Sequence, residues 1–424
     1  MRFALTIIVA PLLALASIAG EIPVADPESV GMSGESLERI TAATQQFVDE
    51  GKLAGVLTMV ARDGRIVHVS AVGQRGVDDD RPLAQDALYR IYSMTKPITS
   101  VAVMMLYEEG DLRLDDPVAK FLPELKDLDV LGGDGNRVPV KSTMTVKHLL
   151  THTAGLSYGF DPSDPVDALY NEVQPRSVAD LDSFIERLAT LPLKFEPGER
   201  WHYSVATDVL GAVVERASGQ PFDVFLRERL FRPLDMCDTF FNVPEDKLRR
   251  LLPNHGWDKE QGKLVTFEDA SKEAGAESMS SGGGGLVSTA RDYMRFAEML
   301  RNGGELDGVR ILQPETVSLM IENHLPSTLS GGGQGETPTD RHKKDVPGFG
   351  FGLGFGLVTS LKDGDVGSVG EYSWGGAAGT VFWIDPSEEI VVIGMIQLFG
   401  SPWPLRERLK VLTYESITEG RAPG

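Results

Sequence analysis

Cysteine is almost absent from this chain. Cys237 is the single one in 424 residues, so no intrachain disulfide can form, and neither a cysteine zinc site nor an iron–sulfur cluster can be built. The lone thiol is expected to be a small buried hydrophobe. Positive charge is also short: 62 Asp and Glu stand against 41 Lys and Arg, a formal charge of -21. A general phosphate-backbone binder is excluded, because such affinity rests on lysine and arginine, and no nucleic-acid partner is expected. No internal repeat is present. Long apolar runs are confined to the N-terminus, where Arg2 is followed by apolar residues from Phe3 to Ala16 and then by Ser17, Ala19 and Gly20. The pattern predicts a secretory signal peptide over residues 1–20, cleaved near Ala19 or Gly20. The run is short for a membrane span, contains Pro11 and lacks a basic stop after it. A periplasmic or secreted protein with no stable membrane span after signal removal is therefore expected. The absence of cysteine at the junction excludes a lipid anchor.

What is present is ordinary globular chemistry, with 42% hydrophobic residues and a length that buries a large core without staples. Leu37, Ile40, Phe47 and Val48 recur at helical spacing over Ser33–Glu50, with Ser33 as the cap. Gly55 to Ala61 and Arg65 to Val72 are β-branched runs flanking Asp63-Gly64, a strong hairpin signal. The C-terminal end repeats this grammar: a strand over Gly379 to Ile384, a turn at Asp385-Pro386-Ser387, a strand over Ile390 to Gln397, then an amphipathic segment over Leu405 to Ile417. The pattern predicts one antiparallel sheet completed by both termini. Between them, helices are expected at Val101–Glu109, Val146–Thr151, Val178–Leu191, Thr207–Ser218 and Ala290–Asn302, separated by Gly- and Pro-rich loops. The reading is α+β: a sheet domain of residues 21–110 and 287–424, flanked by helices, with a mostly helical insertion at 111–286. Ser330 to Lys344 reads as an exposed loop.

The chemistry begins at Ser93-Met94-Thr95-Lys96. A serine and a lysine three apart on a helix share a face. Pro97 cannot lie deep in a helix, so the helix must begin near Ser93. There, backbone N–H groups lack intrahelical partners and favour negative charge, so the Ser93 N–H is available to an oxyanion. No other lysine in the chain has a serine three residues before it. A serine hydroxyl needs a base, and a lysine serves only if its pKa is lowered or a second group shares the task. Tyr203, in Trp201-His202-Tyr203-Ser204-Val205 ahead of a helix, is the candidate; a buried packing tyrosine is the competing reading. The third element is Ser373-Trp374-Gly375-Gly376-Ala377-Ala378-Gly379-Thr380. Its glycines permit close backbone approach and offer an N–H to an oxyanion hole, unless the stretch is a simple turn.

Together and in this order, Ser93-Met94-Thr95-Lys96, Tyr203-Ser204-Val205 and Trp374-Gly375-Gly376 resemble the serine β-lactamase, penicillin-binding-protein and family VIII carboxylesterase superfamily. The resemblance extends to Leu114–Val118, His148–Leu156, Phe195–Gly198 and Gly284–Asp292. It implies a β-lactamase/transpeptidase-like fold with the site between sheet and helical parts. It also implies an acylated Ser93, a Lys96/Tyr203 proton-transfer pair, and an oxyanion hole of the Ser93 and Ala377 N–H groups. Two departures matter. Val205 stands where the lactamases carry an amide-bearing Asn, and Trp374 stands where they carry a Lys for the substrate carboxylate. An indole has one donor and no charge, so Trp374-Gly375-Gly376 resembles the esterase branch. The expected activity is hydrolysis of carboxylic esters with short to medium acyl chains, on a small-molecule ester substrate and with no cofactor. A β-lactamase, a D,D-peptidase or an acyltransferase on the same scaffold is the alternative.

Other signals weigh less. Gly155-Leu156-Ser157-Tyr158-Gly159 fits the G-x-S-x-G nucleophile elbow, but that elbow needs a strand before and a helix after it, and here a helix precedes and Asp161-Pro162-Ser163-Asp164-Pro165 follows. His148 and His152 share ligand spacing without a third ligand or a base, so a structural pair and no metal are expected. His202 is expected to pack. Gly282 to Gly285 lacks P-loop spacing and is expected to form a tight turn.

Overall fold

The computed structural model describes residues 20–133, 135–268, 278–325 and 348–420. The expected signal peptide up to residue 19 and the expected loop at 330–344 lie outside them. Ser33 caps the first helix, α1 (Gly34–Asp49), its Oγ accepting from the Ser36 N–H at 3.2 Å. The first hairpin follows as expected, Gly55–Arg62 against Arg65–Gly76. Its turn residues Asp63 and Gly64 have φ of 53° and 71°, the left-handed pair that matches strand twist.

Eight antiparallel strands form the central sheet. From one edge the order runs Phe349–Phe351, Gly356–Val358, Tyr372–Gly375, Val381–Asp385, Ile390–Met395, Gly55–Arg62, Arg65–Gly76 and Asp79–Pro82. The two ends of the chain meet in its middle, where Met59 pairs with Ile393 and Leu57 with Met395. Alternation along the strands divides the sheet's faces. Val56, Val60, Val381, Trp383 and Val392 pack with residues of α1 and of the last helix, α10 (Leu405–Glu415). Leu57, Met59, Phe382, Ile384, Val391 and Ile393 point to the larger core. That core contains α2 (Thr95–Glu109) and α8 (Ala290–Arg301). Buried Arg62 ties the termini together: its guanidinium donates to the carbonyls of Gly31 (2.8 Å) and Glu419 (3.0 Å) and to the Glu388 carboxylate (2.7 Å). A chain with no disulfide closes its ends through this multiply bonded cation.

The helix α2 is buried from Thr95 to Leu106 on every side, as a helix apolar all round must be. Against it packs α6 (Ala206–Ser218), and helices at Val146–Leu150, Leu181–Leu188 and Phe222–Leu226 join the same core. Helices at Phe222–Leu226, Pro314–Met320 and Pro165–Val173 escaped the sequence reading. Pro165–Val173 begins inside a stretch taken as loop, with Asp164 accepting from the Val166 and Asp167 N–H groups and Pro165 in the first position; the missed signal is an acidic cap followed by a proline. Cys237 corrects a second expectation. It is exposed, its thiol donating to Asp235. A hairpin of Asn254–Asp258 and Lys263–Glu268 joins the sheet side, where Leu264 and Trp257 enter the α1/α10 cluster. Among the described residues no helix is long and apolar enough to cross a membrane.

Candidate active site

A 3-10 turn, Tyr92–Met94, leads directly into α2 and carries Ser93, which is half-buried. Tyr92 holds a φ of 43°, a strained conformation of the kind that clusters at functional sites. It is braced by its hydroxyl, which accepts from Asn254 Nδ2 at 2.6 Å, and by an edge-on contact with Phe399. One turn on, Lys96 directs Nζ back to Ser93 Oγ at 3.2 Å, and the Tyr203 hydroxyl donates to the same oxygen at 2.7 Å. Ser93, Lys96 and Tyr203 are therefore brought together.

Lys96 is wholly buried, and burial pulls its pKa down to about 7, against the pull of Asp208 and with that of Arg176. Near neutrality the amine form is well populated. Burial raises the Tyr203 phenol, partly offset by its hydrogen bond to Ser93. Lys96 Nζ lies 4.6 Å from the Tyr203 ring centre and 5.2 Å from that of Tyr158. This aromatic surround is too apolar to favour an ammonium, although ring quadrupoles soften the cost.

Trp374 lies at the end of the strand Tyr372–Gly375, its ring 5.5 Å from that of Tyr203 and edge-on to Phe351 at 5.4 Å. Trp201, Tyr203, Leu325 and Phe351 form a separate aromatic cluster on which Trp374 and Tyr158 rest. Past Trp374 the backbone turns hard against the segment carrying Ser93. A Cβ on Gly376 would come within 2.5 Å of the Ile91 carbonyl oxygen, so glycine alone permits the approach. Gly375 pairs across the sheet with Val381. The Ala377 N–H meets no acceptor among the described residues, while its carbonyl accepts from Gly400. Val205 does not line a polar subsite; its side chain is 1% exposed within the main core.

Several participants were not legible in the sequence. The carbonyl of Gly283 accepts from Lys96 Nζ at 2.6 Å, so the glycine run expected to be only a turn supplies a site atom. Asp208, fully buried in the first turn of α6, accepts from Ser281 Oγ and from the Gly283 N–H at 3.1 Å. Arg176 lies with its guanidinium 5.4 Å from the Tyr158 ring centre. His152 packs on Tyr203 at 4.9 Å, and burial holds it well below its usual pKa, hence neutral. These contacts join residues far apart in the chain. The acid near Tyr203 in sequence, Asp208, was the one local hint.

Ser157 lies elsewhere. It is fully buried, its Oγ donating to Asp167 at 2.5 Å, accepting from the Gly159 N–H at 3.2 Å and standing 3.3 Å from His202 Nε2. Asp167 is also paired with Lys194 at 2.8 Å. Burial, with Lys194 nearby, lowers His202 to about 4. The element directly before Ser157 is the short helix Val146–Leu150, not a strand. His148 completes a capping box with Thr145, and no group of metal-holding side chains exists among the described residues.

An antiparallel sheet flanked by helices, with an S-x-x-K serine at a buried helix start facing a tyrosine, defines the serine β-lactamase-like class. The family model described as Beta-lactamase matches residues 40–414, and the chain belongs to that family. It is 32% identical to Esterase EstB of Burkholderia gladioli over 85% of this chain and 90% of that protein. Two solved structures share the fold closely. EstCE1, described as a hydrolase with promiscuous acyltransferase activity, has a TM-score of 0.74 at 28% identity and covers 91% of this chain and 99% of its own. Simvastatin synthase (LovD) from Aspergillus terreus has a TM-score of 0.77 at 25% identity and covers 89% and 97%.

Proposed function

We propose that this protein is a carboxylesterase of the family VIII kind, working through a Ser93 acyl-enzyme. The observation that carries the reading is Ser93 Oγ held between the Lys96 amine and the Tyr203 phenol, with an uncharged indole at Trp374 beside them. The Ser93 proton passes to the Lys96/Tyr203 pair as Oγ attacks the acyl carbon. The carbonyl electron pair moves onto oxygen, facing the Ser93 and Ala377 N–H groups. Collapse expels the alcohol with a proton from the same pair. Water then attacks the acyl-enzyme, giving up its proton to the pair, and the acid leaves as Ser93 is reprotonated. Neither Lys96 nor Tyr203 is assigned alone as base, since both hydrogen-bond the same Ser93 Oγ.

Apolar substrates are supported by the rim. Phe160 and Phe399 are 49% and 45% exposed, and they pack on Tyr158, beside Lys96, and on Tyr92, the residue before Ser93. A second reading is acyl transfer to an alcohol other than water, favoured by the likeness to EstCE1. The mature protein is taken to act outside the cytoplasm after loss of residues 1–20, which N-terminal sequencing of the exported protein checks. The activity is tested with nitrophenyl acetate, butyrate and octanoate beside a chromogenic cephalosporin. Ester turnover abolished in Ser93→Ala, retained in Ser157→Ala, and far above cephalosporin cleavage is expected. Dominant cephalosporin cleavage moves the protein to the lactamase branch, and activity surviving Ser93→Ala overturns the mechanism.

A further inference from the structure

The Lys96 amine is not held by a carboxylate directly, yet a charged pair stands just behind it. Asp208 is 0% exposed. Its Oδ1 takes two donors, Ser281 Oγ and the Gly283 N–H, and that same Gly283 presents its carbonyl to Lys96 Nζ at 2.6 Å. A relay of peptide and hydrogen bonds thus runs from the carboxylate to the lysine. Its second oxygen, Oδ2, is buried with no hydrogen-bond partner among the described residues, and the guanidinium of Arg176 stands 3.8 Å away. A buried carboxylate left half-satisfied is costly, so its retention here calls for a task. Arg176 lies with its guanidinium over the Tyr158 ring and keeps 45% of its side chain exposed.

We propose that Asp208 is the positioning residue for Lys96, acting through Gly283, and that Arg176 is its counter-charge, so that the two set the balance between ammonium and amine at Lys96. The inference rests on Lys96 being part of the proton-transfer pair. The charged and titratable groups facing Lys96 are Asp208 from α6, Arg176 and Tyr158 from the preceding loops, Tyr203 beside Ser93, and His152 behind Tyr203. Tyr158 and Tyr203 stay protonated because burial raises both, and His152 stays neutral because burial lowers it. Asp208 and Arg176 act on Lys96 in opposite directions: the carboxylate favours the ammonium and the guanidinium opposes it.

The test is the pH dependence of kcat/KM for nitrophenyl acetate in the wild type, Asp208→Asn, Arg176→Gln, Arg176→Lys and the double variant Asp208→Asn/Arg176→Gln. The acid limb reports loss of the Lys96 amine as pH falls. Asparagine can still accept from Ser281 and Gly283 while removing the charge, so the limb is expected to move to lower pH by roughly one unit. Arg176→Gln is expected to move it to higher pH by a smaller amount, Arg176→Lys to leave it in place, and the double variant to fall between the singles. Arg176 is partly exposed, so its variants keep the proposal testable if Asp208→Asn fails to fold. Limbs that do not move, or that move the same way in both single variants, overturn the inference. Undiminished activity in Ser93→Ala, assayed in parallel, would instead sink the esterase mechanism beneath it.

Discussion

Ser93 and Ser157 both stand within hydrogen-bond reach of a side chain able to take a proton, yet their surroundings differ in every respect that governs reactivity. Ser93 is half-exposed at the start of a buried helix and its oxygen receives two hydrogen bonds, from Lys96 and Tyr203. Ser157 is sealed, and its own proton is already committed to Asp167, whose charge is neutralised by Lys194. No substrate reaches a hydroxyl so enclosed. The Ser157 cluster does structural work. The Ser157 carbonyl accepts from the Val205 N–H at 3.4 Å, and the His202 N–H bonds the His152 carbonyl at 2.8 Å, so the cluster holds both sides of Tyr203. Gly155 serves the same end. It has a φ of 82° and packs where a Cβ would come within 2.3 Å of the Phe195 carbonyl. A nucleophile motif can thus be satisfied by residues whose task is to close a turn.

The comparison can be broken in five ways. The largest effect is expected from Ser93→Ala, which should lower ester kcat/KM by roughly 10⁴-fold or more with melting unchanged; a loss of stability in place of activity would reverse the two roles. Tyr203→Phe removes a proton-transfer partner and should cost roughly 10²–10⁴-fold in kcat with little change in KM, measured by steady-state kinetics. Ser157→Ala leaves Asp167 short of a donor and should cost about 1–3 kcal/mol in stability, read by denaturant unfolding, while activity per folded molecule is kept. Wild-type kcat/KM should rise through a pH near 7 and level off above it. Lys96 works as the amine and its pKa is drawn down to about 7, so acidification protonates it and disables the Lys96/Tyr203 pair. The smallest effect is expected from Phe160→Ala, a few-fold rise in KM for octanoate and none for acetate, consistent with the loss of one rim contact.

Much of the fold was legible because it rests on local periodicity. The helix at Gly34–Asp49, the Asp63-Gly64 hairpin and the pairing of both chain ends in one sheet all follow from side-chain alternation and turn chemistry. The helix at Pro165–Val173 did not register, because its acidic cap and proline sit in a run of turn-forming residues. Cys237 lies on the surface, where a single small side chain carries no periodic signal of its burial.

By itself the sequence determined which residues have the chemistry and where their local elements begin: a serine and a lysine one turn apart at a proline-marked helix start, a tyrosine ahead of a second helix, and a glycine run after a strand. Tertiary structure alone decided how those groups behave. The drop in the Lys96 pKa, the Gly283 carbonyl that accepts its hydrogen bond, the buried Asp208 behind that peptide and the sealing of Ser157 all arise between segments distant in the chain. Desolvation and charge act through space, and only the folded packing sets those distances.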